Sequence, residues 1–379
     1  MSGVPLRRAV AVIDDGAVER NCRRLRGELG ADGRLCAVVK ADGYGHGAVE
    51  CARAALAGGA EWLAVATADE VATLRERLPD ASILTMGALT PAELEVVLRS
   101  GSDVGVWRGE FAELVAERGA LMGVRPRIHV KHDSGMGRLG EPDPGTVLEL
   151  LERIGADERV ELAGLWTHLA TADELDSPFF DQQLERFGPV AEKARAAHPG
   201  ILVHAANSAA TLRDPASHFD MVRCGVAIYG LDPFQADPFA RRLEPAMELR
   251  SYVADAKLFP TGASAGYGRR WRAPSPTWVG VLPIGYGDGV RRALSGNGQV
   301  LVDGARHSLV GTVSMDNVTI EIGAEPTVEP GAPAVLIGAQ GDDRILCEEV
   351  ADRIGTINYE VTCGISTRVP RVHVRSEAA

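Results

Sequence analysis

The chain has 379 residues, 45% of them hydrophobic and 24% charged, with a formal net charge of −12. This is the balance of a soluble globular protein long enough for two domains, because single cores stop growing near about 250–300 residues. The acidic surplus argues against nucleic acid and anionic membranes as partners, no apolar run approaches the roughly 18 residues of a membrane span, and the opening MSGVPLRR lacks the apolar segment of a secretory signal. The cysteines, Cys22, Cys36, Cys51, Cys224, Cys347 and Cys363, show no CxxC spacing and read as free thiols in a reducing compartment, so a cytoplasmic location is expected. The histidines form no HExxH motif and no cluster at metal spacing, and no metal is expected.

Taken in order, residues 9–13, AVAVI, read as a strand. From Leu35 short apolar runs alternate with amphipathic helical stretches. The runs are 35–40, 62–66, 82–87, 103–107, 125–131, 162–168, 201–207 and 219–225, with helical patterns such as Ala48–Leu56, Ala68–Leu78, Pro91–Arg99 and Phe179–Ala197 between them. Such alternation implies parallel strands with helical crossovers, and about eight units is the number a (β/α)₈ barrel needs. The pattern alone does not close a barrel, and a doubly wound open sheet fits it equally. After about residue 240 the beat changes. TWVGVLPIG (277–285), QVLVDG (299–304), HSLVGTVSMDNVTIEIG (307–323) and PAVLIG (333–338) are β-rich and broken by glycine, with Glu348–Ile354 the best helix candidate. The expected division is therefore 1–240 and a mainly antiparallel β domain over 241–379, with residues 1–13 free to pair with the β domain.

The most informative stretch is AVVKADGYGHG, residues 37–47. A buried strand ends in a single lysine, and Gly43, Gly45 and Gly47 follow. Lys40 at a strand's C-terminal edge would face a cavity, where desolvation favours the neutral amine. A neutral amine is what condensation with an aldehyde cofactor requires. A snorkelling lysine before a flexible turn is the bland alternative. Lys131, His168, Asn207 and Arg223 also end apolar runs, and in a (β/α)₈ barrel strand ends carry the site. Asn207-Ser208 precedes a helical stretch and suits either an anion at a helix N-terminus or an ordinary cap. Gly135-x-Gly137-x-x-Gly140 formally matches a dinucleotide fingerprint, but Glu141-Pro142-Asp143-Pro144 does not continue readily into the helix that should receive a pyrophosphate.

AVVKADGYGHG resembles the pyridoxal-phosphate lysine motif of bacterial alanine racemases, and the resemblance runs across nearly the whole chain. It implies an N-terminal TIM-type barrel, pyridoxal phosphate on Lys40, and interconversion of L- and D-alanine for peptidoglycan. Ser208, Gly225, the amide of Val226, Tyr44 and Tyr359 match the family's phosphate cradle, and Asn207 lies beside it. Arg223 matches the arginine facing the pyridine nitrogen, with His168 as the residue that orients it. Guanidinium does not readily give up a proton, so the pyridine stays largely unprotonated, which favours racemisation over transamination. Lys131, often carbamylated in the family, positions Arg138, which supports the cofactor's phenolic oxygen and the substrate carboxylate.

In the β domain, AGYGRRW (265–271), GYGDG (285–289) and SMD (314–316) follow the family order. Tyr267 matches the second base and the amide of Met315 a carboxylate contact, with Tyr286 and Asp316 as supports. Lys40 is assigned to the D-isomer and Tyr267 to the L-isomer. The family's tyrosine reaches the partner's barrel, so a homodimer is implied in which Tyr267 and Met315 serve the partner's site. Thr312 departs from the arginine often found there, at a position linked, like Asp173 and Arg292, to the access corridor. The alternatives are a racemase of serine or another small amino acid, a decarboxylase of the same fold type, and a non-catalytic carrier of the cofactor. Arg223 argues against the decarboxylase, and Tyr267 and Met315 against the carrier.

Overall fold

The computed structural model describes residues 6–377. The described residues form two compact units, one of residues 18–228 and the other of the described residues before 18 and after 228. Among the described residues no helix is long and apolar enough to cross a membrane.

Strand β1 (Val10–Asp14) belongs to the second unit. The first unit is a closed barrel of parallel strands: β2 (Arg34–Val38), β3 (Trp62–Val65), β4 (Ser82–Thr85), β5 (Asp103–Val106), β6 (Arg127–Lys131), β7 (Glu161–Trp166), β8 (Leu202–His204) and β9 (Met221–Cys224). β9 closes on β2 with Arg223 beside Cys36. Each of the eight apolar runs became one barrel strand. Residues such as Leu35, Ala37, Leu63 and Val65 are buried because helices cover the outside while side chains fill the inside. Alternation sets the two faces: Arg127, His129 and Lys131 share one face of β6, and Ile128 and Val130 the other.

The crossover helices begin where local chemistry starts them. Thr67 and Glu70 form a capping box before Ala68–Arg77, and Thr90 and Glu93 another before Pro91–Arg99, which has proline in its first turn. The prolines after Gly140 do not block a helix: one runs from Pro144 to Gly155, with Asp143 accepting from the amide of Thr146. Proline is well tolerated in a first turn, so that reason for setting the glycine segment aside does not hold. The sounder reason is that Asp133 already occupies the turn, its carboxylate accepting from the amides of Gly135 at 3.0 Å and Gly137 at 2.9 Å.

The second unit holds a ten-stranded, mainly antiparallel sheet. β1 lies in it between Met247–Tyr252, antiparallel, and Arg371–Val374, parallel. The change of unit falls at 228/229, ahead of the expected 240. Residues after 229 are tied into the second unit: the Ala246 amide donates to the Tyr229 carbonyl at 3.0 Å, and the Asp232 amide to Glu348 Oε1 at 2.9 Å. Two helices, Cys347–Ile354 and Asn358–Cys363, complete it.

Candidate active site

Lys40 opens a tight turn just past β2. Ala41, Asp42 and Gly43 all adopt left-handed conformations, with φ of 52°, 52° and 63°. For non-glycine residues this costs roughly 1–2 kcal/mol each, and such strain persists where surrounding contacts impose it. Those contacts are visible: the Ala41 amide donates to Glu70 Oε1 at 2.6 Å, and Asp42 Oδ1 accepts from the Ala48 amide at 2.9 Å. The turn fixes Lys40 at the C-terminal mouth of the barrel, where (β/α)₈ enzymes do their chemistry.

Arg223 is 3% exposed and lies over the ring of Trp166 at 4.8 Å. Its Nη1 donates to His204 Nδ1 at 2.7 Å, and Nη2 to the carbonyls of Thr167 at 2.7 Å and Ala205 at 3.0 Å. His168 Nδ1 accepts from Nη2 at 3.4 Å. Burial lowers the Arg223 guanidinium to about 10, so it stays charged at neutral pH. Burial, then the charge of Arg223, holds His168 well below the ordinary histidine range, so it is a neutral acceptor.

Lys131 Nζ sits 4.3 Å from the centre of the Trp166 ring. Burial, then the charges of Arg223 and Arg138, lowers its amine to about 7. Arg138 itself is exposed, on the loop that returns to β6 through the Glu141 amide and the Lys131 carbonyl at 3.1 Å.

Ser208 begins the helix Ser208–Arg213, and its hydroxyl oxygen accepts from the amides of Gly225 at 3.0 Å and Ala227 at 3.3 Å. A Cβ on Gly225 would lie 2.4 Å from Tyr44 Oη, so glycine there is what lets the tyrosine approach. Val226 opens the short helical turn that follows. Asn207 is the helix cap, its Oδ1 accepting from the Ala210 amide at 3.0 Å while its Nδ2 donates to the Leu169 carbonyl at 3.4 Å. The side chain of Asn207 thus serves its own helix and the Leu169 carbonyl, while the neighbouring serine turns to the amides of Gly225 and Ala227.

In the second unit, Tyr267 is 73% exposed on a turn with Gly266 at φ 69° and Gly268 at φ 73°. The Thr312 hydroxyl donates to the Tyr267 carbonyl at 2.8 Å. Tyr286 and Met315 are also exposed, and their loops interlock: the Tyr286 amide donates to the Ser314 carbonyl and the Gly287 amide to the Met315 carbonyl, each at 2.9 Å. A Cβ on Gly285 would meet the Ser314 carbonyl oxygen at 2.3 Å. Asp316 is paired with Arg368 at 2.6 Å. Tyr359 lies in the helix Asn358–Cys363, and Arg292 in a short turn to Leu294. Asp173 is exposed, in the loop between β7 and the helix Phe179–Ala197.

Lys40, Lys131, Arg138, His168, Arg223, Ser208, Gly225 and Tyr44 thus share the barrel unit, and Tyr267, Tyr286, Met315, Asp316 and Tyr359 the other. Sequence reading missed His204, His129 and Asp103. The signal was present for His129, which keeps step with Lys131 on β6 and so faces the same interior.

A parallel eight-stranded barrel with basic side chains at its mouth, followed by a β-rich unit, defines a two-domain (β/α)₈ enzyme. Residues 13–233 match the family described as alanine racemase, N-terminal domain, and residues 246–373 the alanine racemase C-terminal domain. The alanine racemase of Symbiobacterium thermophilum is 41% identical over 364 residues, covering 96% of each chain. That of Geobacillus stearothermophilus is 41% identical over 372 residues, covering 96% of this chain and 93% of the other. The crystal structure of alanine racemase from Streptomyces lavendulae superposes with a TM-score of 0.93 at 36% identity, covering 99% of both chains. The chain belongs to the alanine racemase family.

Proposed function

We propose that the protein interconverts L- and D-alanine with pyridoxal phosphate held in the barrel mouth, using Lys40 and Tyr267 as bases on opposite faces of the α-carbon. The observation that carries this reading is the cradle formed by Ser208, Gly225 and Tyr44, where a Cβ on Gly225 would displace the tyrosine. That cradle fits a phosphate group, as does the N-terminus of the helix beginning at Ser208 in company with the amide of Val226. Tyr359 is assigned to the same phosphate, and Asn207 shapes the cradle through its cap.

When bound, pyridoxal phosphate supplies an aldehyde for the substrate's amino group and withdraws electrons from the bond to the α-hydrogen. The rest falls to the protein. Lys40 Nζ takes or returns the α-proton on the face used by D-alanine, and the Tyr267 hydroxyl does so on the face used by L-alanine. Arg223, steadied by His168, presents a fixed charge at the ring nitrogen and gives up no proton, which limits transamination. Arg138 and the Met315 amide hold the substrate carboxylate. A lysine lowered to about 7 is substantially neutral at physiological pH, the form that takes up carbon dioxide with loss of a proton, so Lys131 suits a carbamate that would face Arg138.

Tyr267, Tyr286 and Met315 are exposed, which suits their delivery to a second copy of the chain in a homodimer. Asp316 braces the Met315 loop through Arg368. A supply of D-alanine for peptidoglycan, in the cytoplasm, is the role that this chemistry serves.

The direct assay is D-amino-acid formation from each L-amino acid, resolved on a chiral column with pyridoxal phosphate added. D-alanine should form faster than any other product. Faster formation of D-serine would move the assignment to the serine alternative, and absence of every D-product would leave a non-catalytic carrier.

A further inference from the structure

Barrel interiors of this kind are usually filled by layers of branched apolar side chains. This one carries a line of polar groups. Arg223 Nη1 is 2.7 Å from His204 Nδ1, His204 Nε2 is 2.9 Å from His129 Nδ1, and His129 Nε2 is 3.0 Å from Asp103 Oδ2. They stand on β9, β8, β6 and β5, and none is more than 4% exposed. Space has been made for them: a Cβ on Gly164, the β7 neighbour of His129, would lie 2.2 Å from His129 Nδ1. The ring of Trp166 stacks on His204 at 5.8 Å, and Arg127 Nε clamps both oxygens of Asp103 at 3.2 Å.

Chemistry fixes every proton on this line. A guanidinium can only donate, so His204 Nδ1 is an acceptor and its proton sits on Nε2. That proton points at His129 Nδ1, which must accept in turn, so the proton of His129 sits on Nε2 and points at the carboxylate of Asp103. All three bonds therefore run one way, from Arg223 to Asp103. A proton on His129 Nδ1 would force His204 to its other tautomer and set two donors face to face at Arg223. Burial, then the charge of Arg223, holds His204 well below the ordinary histidine range, in keeping with a neutral ring.

We infer that Asp103, acting through His129 and His204 as a one-way hydrogen-bond relay, is a positioning residue that holds the Arg223 guanidinium at the ring-nitrogen position of the site. The inference deepens the proposed function and rests on its reading of Arg223. Buried polar groups cost stability unless fully paired, and a line of them between a carboxylate at the start of β5 and the mouth of the barrel serves orientation better than packing.

The test is imidazole nitrogen and proton NMR on the purified holoenzyme, with Asp103→Asn and His129→Phe alongside. In the parent, His129 and His204 should both be Nε2–H tautomers, and His204 should stay so from about pH 6 to about pH 8, where a free imidazole would titrate. An Nδ1–H tautomer at His129 overturns the relay. With alanine as substrate, His129→Phe should raise the ratio of transamination to racemisation about fivefold, the worth of one ordinary hydrogen bond, with KM little changed. Asp103→Asn keeps the shape and an acceptor oxygen, so it should shift the ratio in the same direction by less, and it covers the case in which the phenylalanine variant does not fold. An unchanged ratio in a folded variant would make the line a plain structural core and overturn the inference. A parent enzyme with no racemase activity would instead sink the reaction reading, while the tautomers, read without substrate, would still decide the relay.

Discussion

Lys131 and Arg223 are both buried basic groups against the same Trp166 ring, yet their chemistry differs. Ammonium yields its proton when desolvated, whereas delocalised guanidinium keeps it. Lys131 is lowered from 10.5 to about 7, so between those values the unfolded chain binds the extra proton. Stability contributed by this group therefore rises with pH across that window, and the cost of burying the charge is fully present below about 7. Lys131→Met should accordingly gain stability relative to the parent as pH is lowered from the alkaline side, read as the shift in denaturant midpoint. A difference that does not change with pH would contradict the assigned lowering. Arg223 sits against the carbonyls of Thr167 and Ala205, which accept but cannot donate. A carboxyl placed there would keep its proton and could pass it to the ring nitrogen. Arg223→Glu should therefore slow racemisation by about a hundredfold, the scale of losing a preorganised charge, and release more pyruvate per turnover. Unaltered partitioning between the two reactions would falsify the role given to Arg223.

The element that sets the site is the left-handed turn Lys40–Tyr44, which brings Tyr44 against Gly225 at the end of the neighbouring strand β9. Gly225→Ala would drive a methyl to 2.4 Å from Tyr44 Oη, and one of the two must move. Overpacking of this kind costs about 1–3 kcal/mol, so affinity for pyridoxal phosphate should fall about tenfold or more, measured by fluorescence titration of the stripped protein. Unchanged affinity would remove Gly225 from the phosphate cradle. The turn also marks where sequence reading stops. The apolar run 35–40 and the glycines after it located a strand and its end, because burial on both faces leaves a continuous apolar signature. The left-handed geometry of Ala41 and Asp42 left no such trace, since alanine does not favour it and partners outside the turn, Glu70 and the Ala48 amide, hold it. The eight barrel strands were legible for the same reason, and the helix Phe179–Ala197 from its amphipathic period. The segment 229–240 was not, because its hydrogen bonds go to residues far along the chain, such as Glu348.

At the scale of the whole molecule, Lys40 lies in the barrel unit and Tyr267 in the β unit, on a turn exposed to solvent. In the proposed enzyme these two residues meet only between chains of a two-fold dimer, so each site takes its lysine from one subunit and its tyrosine from the other. Lys40→Ala and Tyr267→Phe homodimers should each be nearly inactive. Refolded together, they form hybrids in which one site carries both lesions and the other carries neither. Random pairing makes about half the dimers hybrid with one intact site of two, so racemisation of alanine should return to roughly a quarter of the parent's rate. No recovery despite demonstrated hybrid formation would contradict the account, because it would mean that both bases of a site come from one chain or that Tyr267 is not a base at all.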